Sequence, residues 1–328
     1  MTNASKPVYT LPPDAVWLIT GCSSGLGLSL AKLIAAHPTQ RIVATARNSE
    51  RLKTLLPSES PRLLLVELDV TSGNSITEAL VKVLKHPGFG RIDVLVNNAG
   101  YGLVGDTEVS LPKSSIALHS SDAEHAKARA LIETNFWGVA QLTLHAMRIM
   151  RETNAESGQQ GGVVVQISSM GGFMGFAGNA WYHAAKFAVE GFTESVSREV
   201  RPEWNIHFTI AEPGGIDTQY ATSSLARLAP HPAYAAPDTP ARVLIAATDN
   251  PEFRKGWSKA DNMSKAIYEV VGRTKTIPIR FPLGTASFGI LREEVNTMAK
   301  EFDEIKYISL GVDTDEETAP LTEYYRFA

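Results

Sequence analysis

Tyr182 and Lys186 are the residues whose types and spacing most directly suggest chemistry. They lie four residues apart in the stretch WYHAAK at 181–186, so on a helix both side chains project from one face, a turn apart. An ammonium group beside a phenol favours the phenolate and lowers the pKa of the phenol from about 10. A tyrosine that exchanges a proton near neutral pH is a general acid/base. Exposed amphipathic helices carry the same spacing, so the surrounding elements must decide.

A strand, a glycine-rich turn and a helix near the start of the chain are typical of a dinucleotide-binding unit. The apolar run at 16–20 predicts a buried strand, GCSSGLG follows at 21–27, and a helical pattern covers 28–36. Glycines let the backbone approach a pyrophosphate, and the helix N-terminus offers free N–H groups. The spacing G-x-x-x-G-x-G differs from G-x-G-x-x-G, and a glycine-rich structural turn is the alternative.

Arg47 and Asp69 are the polar residues expected around the adenosine part of a dinucleotide. An acidic residue about 20 positions beyond the glycine motif binds the ribose 2′-OH of NAD, but here that count arrives at Arg47. A guanidinium can bind a 2′-phosphate in a bidentate manner, which favours NADP(H); a solvated charge is the alternative. Asp69 follows a predicted strand at 63–68 and would accept from the adenine amino group, or else cap a helix from about residue 72.

Alternation of apolar runs with helical patterns predicts an α/β fold with a Rossmann-type, doubly wound parallel sheet. Further strands are expected at 41–46, 92–96, 163–167, 206–210 and 277–283. Residues 101–122 lack periodicity, a helix is expected from about 123 to 151, and 154–162 reads as an exposed loop. Helical patterns at 181–201, 240–248, 261–272 and 285–305 complete the single domain.

Composition excludes several classes of protein. The 328 residues are 44% hydrophobic and 20% charged with a net charge of −4, which is ordinary for a globular protein and gives no reason to expect nucleic acid. The single cysteine, Cys22, rules out an intrachain disulfide and fits a reducing compartment. Residues 1–13 lack a secretory signal pattern, and there is no run of about 18 apolar residues. We expect a cytoplasmic protein that does not enter a membrane.

Five motifs together resemble the short-chain dehydrogenase/reductase family. They occur in that family's order and approximate spacing: TGCSSGLG at 20–27, NNAG at 97–100, Ser169, Tyr182-x-x-x-Lys186 and Pro213-Gly214. The resemblance covers roughly residues 14–220 and more faintly extends to 305. The stretches ATARN at 44–48 and IPIRFPLG at 277–284 are similar to the branch that contains 17β-hydroxysteroid dehydrogenase-like and retinol dehydrogenase-like proteins.

The resemblance implies a proton-transfer set for hydride exchange with a nicotinamide cofactor. Tyr182 would be the general acid/base, and Lys186 would lower its pKa and bind the nicotinamide ribose. Ser169 would hold the reacting oxygen; it is preferred over Ser168 because the family's serine lies 13 residues before the tyrosine. Asn135 would position a water that relays protons to Lys186.

The resemblance also implies the cofactor contacts and the layout of the chain. Leu26 and Asn97 would touch the ribose and phosphates, and Ile216 and Thr218 the carboxamide and pyrophosphate. The turn residues complete the set: Gly21, Ser23, Ser24, Gly25 and Gly27. The family's sheet has seven strands. The domain would span 14–305, with 217–272 covering the substrate cleft and 306–328 as a loosely held tail.

The expected substrate is a hydrophobic ketone, aldehyde or alcohol. Aromatic and apolar residues are predicted to line its cleft: Phe173, Met174, Phe176, Tyr220 and Tyr234. A redox-silent or isomerising member of the fold, or a cofactor-sensing module, are the rival functions. The family usually pairs through the helices that here contain Asn135 and Tyr182, which implies a homodimer or homotetramer, although the sequence leaves the oligomeric state open.

Two features depart from the family pattern. The segment before Asn135 carries about a dozen extra residues around 109–122, which either wall the active-site mouth or form a harmless surface insertion. His183 stands where a small residue is usual and is interpreted as a helix-surface or interface histidine; a pH-sensing or proton-relay role is the alternative. His119, His125 and His207 show no metal-ligand spacing, so no metal is predicted.

Overall fold

Seven parallel strands form the central sheet. The computed structural model describes residues 7–57, 60–114, 119–218 and 224–312. The strands are β1 Val16–Ile19, β2 Arg41–Ala46, β3 Leu63–Glu67, β4 Val94–Asn97, β5 Gly162–Ile167, β6 Ile206–Pro213 and β7 Arg280–Leu283. Their order across the sheet is β3-β2-β1-β4-β5-β6-β7, and every pairing is parallel. The predicted doubly wound fold is confirmed, with the chain direction across the sheet reversing between β1 and β4.

Helices cover both faces of this sheet. Their bounds are α1 Gly25–Ala36, α2 Ser49–Leu55, α3 Gly73–Lys85, α4 Asp122–Ile132, α5 Gly138–Arg151, α6 Thr153–Glu156, α7 Ala180–Glu199, α8 Pro240–Asp249, α9 Pro251–Arg254, α10 Ala260–Gly272 and α11 Thr285–Leu310. Alternate strand residues face opposite layers. Trp17 and Ile19 pack with α1 and α10, whereas Val16 and Leu18 pack with α3, α5 and α7. Burial on both faces is why the strands read as uninterrupted apolar runs.

The helix predicted from about 123 to 151 is broken in the middle. Residues Glu133–Trp137 form a π-helical turn between α4 and α5. Single π turns inside α-helices widen the backbone and occur frequently at functional sites. This turn contains Asn135, one of the predicted site residues, and a period-based reading cannot detect it because the apolar spacing on either side stays helical.

Two loop expectations are corrected. Residues 154–162 are not simply an exposed loop, because Asn154 is fully buried and its Nδ2 donates to the carbonyl oxygens of Ile92 at 2.7 Å and Gly161 at 2.8 Å. Those bonds satisfy backbone groups at the start of β4 and β5. Within the irregular 101–122 stretch, Gly102–Val104 pairs with Leu225–Arg227 in a short two-stranded ribbon.

The segment expected to cover the cleft divides into two parts. Ile216–Asp217 pairs with Ser258–Lys259, and α8 and α9 lie between them in sequence. In contrast α10 belongs to the core layer, since Met263, Ile267 and Val271 are buried against the sheet. Residues 260–272 therefore belong to the core and not to the expected cover. The tail begins as helix, because α11 continues to Leu310.

Candidate active site

A cavity of about 1430 Å³ opens at the carboxyl end of the sheet. Its lining includes residues that lie one or two positions beyond the ends of five strands: Gly21, Arg47, Asp69, Asn98 and Ser168. In open parallel sheets, ligands bind outside the carboxyl ends of the strands, where the strand order reverses. The cavity therefore occupies the position expected for a dinucleotide and its substrate.

The glycine-rich turn forms one wall of this cavity. Gly21 and Gly25 adopt φ angles of +70° and +58°, which favour glycine. Gly27 packs so closely that a Cβ atom there would lie 2.3 Å from Asn98 Nδ2. Ser24 stands at the N-cap of α1, and within the described chain no side chain caps the first N–H groups of this helix. Free donors at a helix N-terminus beside a close-packed glycine turn are suited to a pyrophosphate.

Arg47 and Asp69 both line the cavity. Arg47 is exposed, and its guanidinium has no hydrogen bond or ion pair with any residue in the described ranges. Asp69 Oδ1 accepts from Thr71 N at 2.9 Å and Thr71 Oγ1 at 2.7 Å; these bonds, with the nearby Arg47, hold the pKa of Asp69 below its ordinary value. The N-cap of α3 is Ser72, which accepts from Ser75 N, so Asp69 is not the helix cap.

Tyr182 and Lys186 face the same cavity from α7. Lys186 is 6% exposed, and its Nζ lies 5.8 Å from the centroid of the Tyr182 ring. The same Nζ donates to the carbonyl oxygen of Ile167 at 2.7 Å. Burial lowers the pKa of Lys186 to about 8, and the carboxylate of Glu190, one turn further along the helix, opposes that effect. An exposed amphipathic face is therefore the wrong interpretation of this pair.

The two serines after β5 have different partners. Ser168 Oγ donates to Glu190 Oε1 at 2.7 Å and is nearly fully buried. Ser169 Oγ accepts from Gly171 N at 3.1 Å and lines the cavity. A hydroxyl that accepts one hydrogen bond still has its proton to donate. This geometry favours Ser169 over Ser168 as the residue that meets a ligand oxygen.

Asn135 lies behind the cavity wall. It is fully buried, its Oδ1 accepts from Tyr101 N at 3.1 Å, and its Nδ2 donates to Tyr101 O at 2.8 Å. Tyr101 itself lines the cavity. The Asn135 side chain thus fastens the π-helical turn to the backbone that follows β4.

The structure does not bring Asn97 to the cavity, and it brings its neighbour there instead. Asn97 Nδ2 donates to Gln166 Oε1 at 2.9 Å and Thr143 Oγ1 at 3.0 Å in the buried layer below. Asn98 lines the cavity, and its Nδ2 donates to Thr20 O at 2.8 Å. Both strand faces are buried, so the sequence offered no signal to choose between two consecutive asparagines.

Ile216 and Thr218 form the part of the cavity wall beside the glycine turn. Both line it, and a Cβ atom on Gly25 would lie 3.6 Å from Thr218 Cβ. Leu26, Ser23 and Ser24 also line the cavity, whereas Gly27 supports the turn from within α1. The structure therefore brings the predicted cofactor residues that follow β1 together with those that follow β6.

The apolar lining differs from the predicted one. Of the predicted residues in the described ranges, Phe176 lines the cavity, whereas Phe173, Met174 and Tyr234 do not. Tyr220 lies outside the described residues. Tyr234 points to the surface, where its hydroxyl donates to Glu108 Oε2 at 2.9 Å. Unpredicted apolar side chains line the cavity instead: Met170, Leu244, Phe253, Trp257 and Ile290.

His183 is buried, so the prediction of a surface histidine is wrong. It is 7% exposed, and its Nδ1 accepts from Phe176 N at 3.0 Å. Burial lowers the pKa of His183 to about 4, so the ring is neutral at neutral pH. A Cβ atom on Gly171 would lie 2.4 Å from its Cδ2. His183 therefore supports the glycine-rich loop that follows Ser169.

The described part of the insertion packs beside α7 and away from the cavity. Trp181 Nε1 donates to Ser110 Oγ at 2.7 Å, and Ser121 N donates to Val109 O at 3.0 Å. Of the described residues between 105 and 122, none lines the cavity. The described residues of the insertion thus support the start of α7. The sequence had suggested either a wall of the active-site mouth or a harmless surface insertion, and this packing matches neither.

The family model described as short chain dehydrogenase matches residues 15–228. With the sheet and the cavity described above, the chain belongs to the short-chain dehydrogenase family of oxidoreductases.

Individual relatives agree with this assignment. An oxidoreductase named calM from Penicillium decumbens is 37% identical over 306 residues, covering 93% of this chain and 95% of that protein. Retinol dehydrogenase 8 from Bos taurus is 33% identical over 273 residues, covering 80% and 79%. A crystal structure of a short-chain dehydrogenase from Streptomyces avermitilis has a TM-score of 0.75 and 30% identity, covering 91% of this chain and 100% of that one. The likeness to the retinol dehydrogenase-like branch is confirmed.

Among the residues that the structure describes, no helix is long and apolar enough to cross a membrane. Nor does the described part of the chain contain three or more His, Cys, Asp or Glu side chains grouped to hold a metal ion.

Proposed function

We propose that this protein uses NADP(H) to interconvert a hydrophobic ketone or aldehyde and its alcohol. The observation that carries the proposal is one cavity shared by the glycine turn at Gly21, the buried Lys186, Tyr182 and Ser169. These are the components of a dinucleotide site and a proton-transfer site side by side. Reduction is the favoured direction if Arg47 selects NADP(H).

The residues present fit a dinucleotide. Gly27 leaves no room for a Cβ atom beside Asn98, and the α1 N-terminus offers free N–H groups to a pyrophosphate. When bound, a nicotinamide supplies or accepts the hydride. Arg47, exposed and without a hydrogen bond or ion pair in the described ranges, would pair with a 2′-phosphate.

Tyr182 would pass its proton to the carbonyl oxygen, or take one from the alcohol. Ser169 would donate a hydrogen bond to the same oxygen and hold it toward the phenol. Lys186, with a pKa of about 8, is mostly an ammonium ion at neutral pH and would stabilise the tyrosinate. In this proposal Asn135 holds the π-helical turn, which positions the water that returns protons to Lys186.

Support for an apolar, uncharged substrate comes from the lining. Phe253, Trp257 and Ile290 face the cavity from the segments that follow β6. Among the described lining residues, the charged ones are Arg47, Asp69, Glu133 and Lys186, and two of these belong to the nucleotide end. We propose that residues 217–259 act as the substrate cover, since α8 and α9 contribute Leu244 and Phe253.

Assembly and location form part of the same proposal. Trp137, Leu144 and Phe187 are 49%, 53% and 45% exposed on the π turn, α5 and α7, so we propose pairing through these helices into a homodimer or homotetramer. Cys22 is fully buried, and burial raises its pKa to about 12. An unreactive lone thiol is compatible with the cytoplasm.

The decisive assay follows NADPH absorbance with a panel of apolar ketones and aldehydes. We expect consumption by the wild type and a loss of about 10²-fold or more in Tyr182→Phe, because proton transfer contributes that much. No consumption across a broad panel would favour a redox-silent member, an isomerase or a cofactor-sensing module. Full activity in Tyr182→Phe would contradict the mechanism.

Cofactor choice is tested separately. We expect Arg47→Gln to raise the KM for NADPH by about 10-fold or more, since a charge-assisted bond contributes about 1.5–3 kcal/mol, and to leave the KM for NADH unchanged. Arg51→Gln, on α2 and outside the cavity lining, is the control. A wild type that prefers NADH would refute the role of Arg47.

A further inference from the structure

The last helix extends beyond the body of the protein. Near its start, Ser287 and Leu291 of α11 are buried at 0% and 4% exposure. From Met298 to the end of the described chain every residue is exposed. The second half of α11 is therefore held by its own backbone hydrogen bonds and by its attachment at the first half.

This exposed half continues an apolar stripe with heptad spacing. Phe288, Val295 and Phe302 are seven residues apart, and Leu291, Met298 and Ile305 repeat at the same interval between them. Phe288, Val295, Phe302 and Ile305 are 58%, 49%, 63% and 49% exposed. Alternating steps of three and four residues define the a and d positions of a coiled-coil seam.

The charges beside the stripe point to a particular partner. Arg292 and Lys306 occupy e positions, and Glu294 and Glu301 occupy g positions. In a parallel pair, each g residue faces the e residue five places further along the other helix, which brings Glu301 to Lys306. An antiparallel pair would instead place acids opposite acids. The helix carries five acidic and three basic side chains, which disfavours an anionic lipid surface.

We propose that a second copy of this chain docks on α11, and that the two helices pair in parallel about a two-fold axis. The seam is formed by Val295, Met298, Phe302 and Ile305 of both copies, with Glu301 of each copy facing Lys306 of the other. Such an isologous contact is closed and buries the same stripe on both sides. It is separate from the face on α5 and α7.

Cysteine cross-linking of the full chain tests the pairing directly, because the native Cys22 is fully buried. Ile305→Cys places thiols opposite each other in a parallel seam. Tyr307→Cys, on the outer side and 77% exposed, is the matched control. Under mild oxidation we expect covalent dimers from Ile305→Cys at least ten times faster than from Tyr307→Cys. Equal rates, or no dimers from Ile305→Cys, would overturn the proposal.

Charge reversal tests the partner geometry. The dissociation constant of this contact is measured by sedimentation. Glu301→Lys should raise it at least ten-fold, and the double variant Glu301→Lys with Lys306→Glu should return it to the wild-type value. Glu304→Lys makes the same charge change on the outer side and should leave association unchanged. An equal effect of Glu304→Lys, or failure of the double variant to recover, would refute the parallel pair. If the chain floats with phosphatidylcholine vesicles and Phe302→Glu abolishes that flotation, the apolar stripe binds a lipid surface and not a second copy, which would overturn the proposal.

Discussion

Glu190 is predicted to control the pH at which the proposed enzyme loses activity. It lies one turn beyond Lys186 on α7 and is 3% exposed. Its Oε1 accepts from Ser168, and its Oε2 accepts from Arg280 Nε at 3.1 Å. Because the carboxylate opposes the effect of burial on the pKa of Lys186, Glu190→Gln should lower that pKa further.

The size of the change follows from the geometry. Residues four apart on a helix have Cβ atoms about 6 Å apart, and unit charges at about 6 Å interact by about 2.8 kcal/mol at an effective dielectric constant of about 20. That corresponds to about two pH units. Arg280 neutralises part of the carboxylate, so we expect the pKa of Lys186 to fall by about one pH unit, from about 8 to about 7.

A neighbouring acid refines the experiment. Burial and the nearby Glu190 raise the pKa of Glu212 from 4.5 to about 8, so Glu212 is mostly protonated at neutral pH. In Glu190→Gln it would ionise more easily and replace part of the lost charge. The double variant Glu190→Gln with Glu212→Gln should therefore show the full displacement.

The assay is kcat against pH for NADPH-dependent reduction. Loss of the Lys186 ammonium defines the alkaline limb, so Glu190→Gln should move that limb to lower pH by about one unit. Glu194→Gln is the matched control, because Glu194 also binds Arg280, at 2.8 Å, but lies two turns from Lys186. An alkaline limb that stays in place in Glu190→Gln, or moves equally in Glu194→Gln, would refute the reasoning.

Three further predictions concern stability and the loop after Ser169. Because the pKa of Glu212 is raised to about 8 in the folded state, its protonation stabilises the fold below pH 4.5, and this contribution is lost as pH rises through 8. Between these two pH values, Tm should therefore fall less steeply in Glu212→Gln than in the wild type. Parallel curves of Tm against pH for the two proteins would contradict this. His183→Ala should lower kcat/KM about ten-fold by removing the acceptor for Phe176 N, whereas His183→Asn, whose Oδ1 can accept the same bond, should retain most activity; equal losses would deny that role. Gly27→Ala should weaken NADPH binding and lower Tm, because its Cβ would lie 2.3 Å from Asn98 Nδ2, and unchanged values of both would show that α1 can shift freely.

The strands and the local motifs were predictable because their signals are contiguous in the sequence. Each strand of a doubly covered parallel sheet is apolar on both faces, so short runs such as the one at Val16–Ile19 are recognisable. Tyr182 and Lys186 lie on one helix, and the glycine turn is a single stretch. Functional residues that lie close together in the sequence can be recognised without a structure.

Other residues could not be assigned in this way. Asn97 and Asn98 are chemically identical neighbours, and only the packing of β4 against α5 directs one inward and the other to the cavity. The π-helical turn at Glu133–Trp137 leaves no trace in the apolar spacing. His183 was expected at the surface, but the loop carrying Phe176 folds over it.

The sequence by itself determined the fold class and the family and indicated the two halves of the proposed site, because strand patterns and motifs are short-range properties. Only the tertiary structure decided what surrounds those halves. It placed Phe253, Trp257 and Ile290 in the lining from segments that follow β6, and it buried Glu190 near Lys186 and Glu212 near Glu190. Such contacts join residues far apart in the chain. Burial lowers the pKa of Lys186, and that burial arises only when those segments pack together.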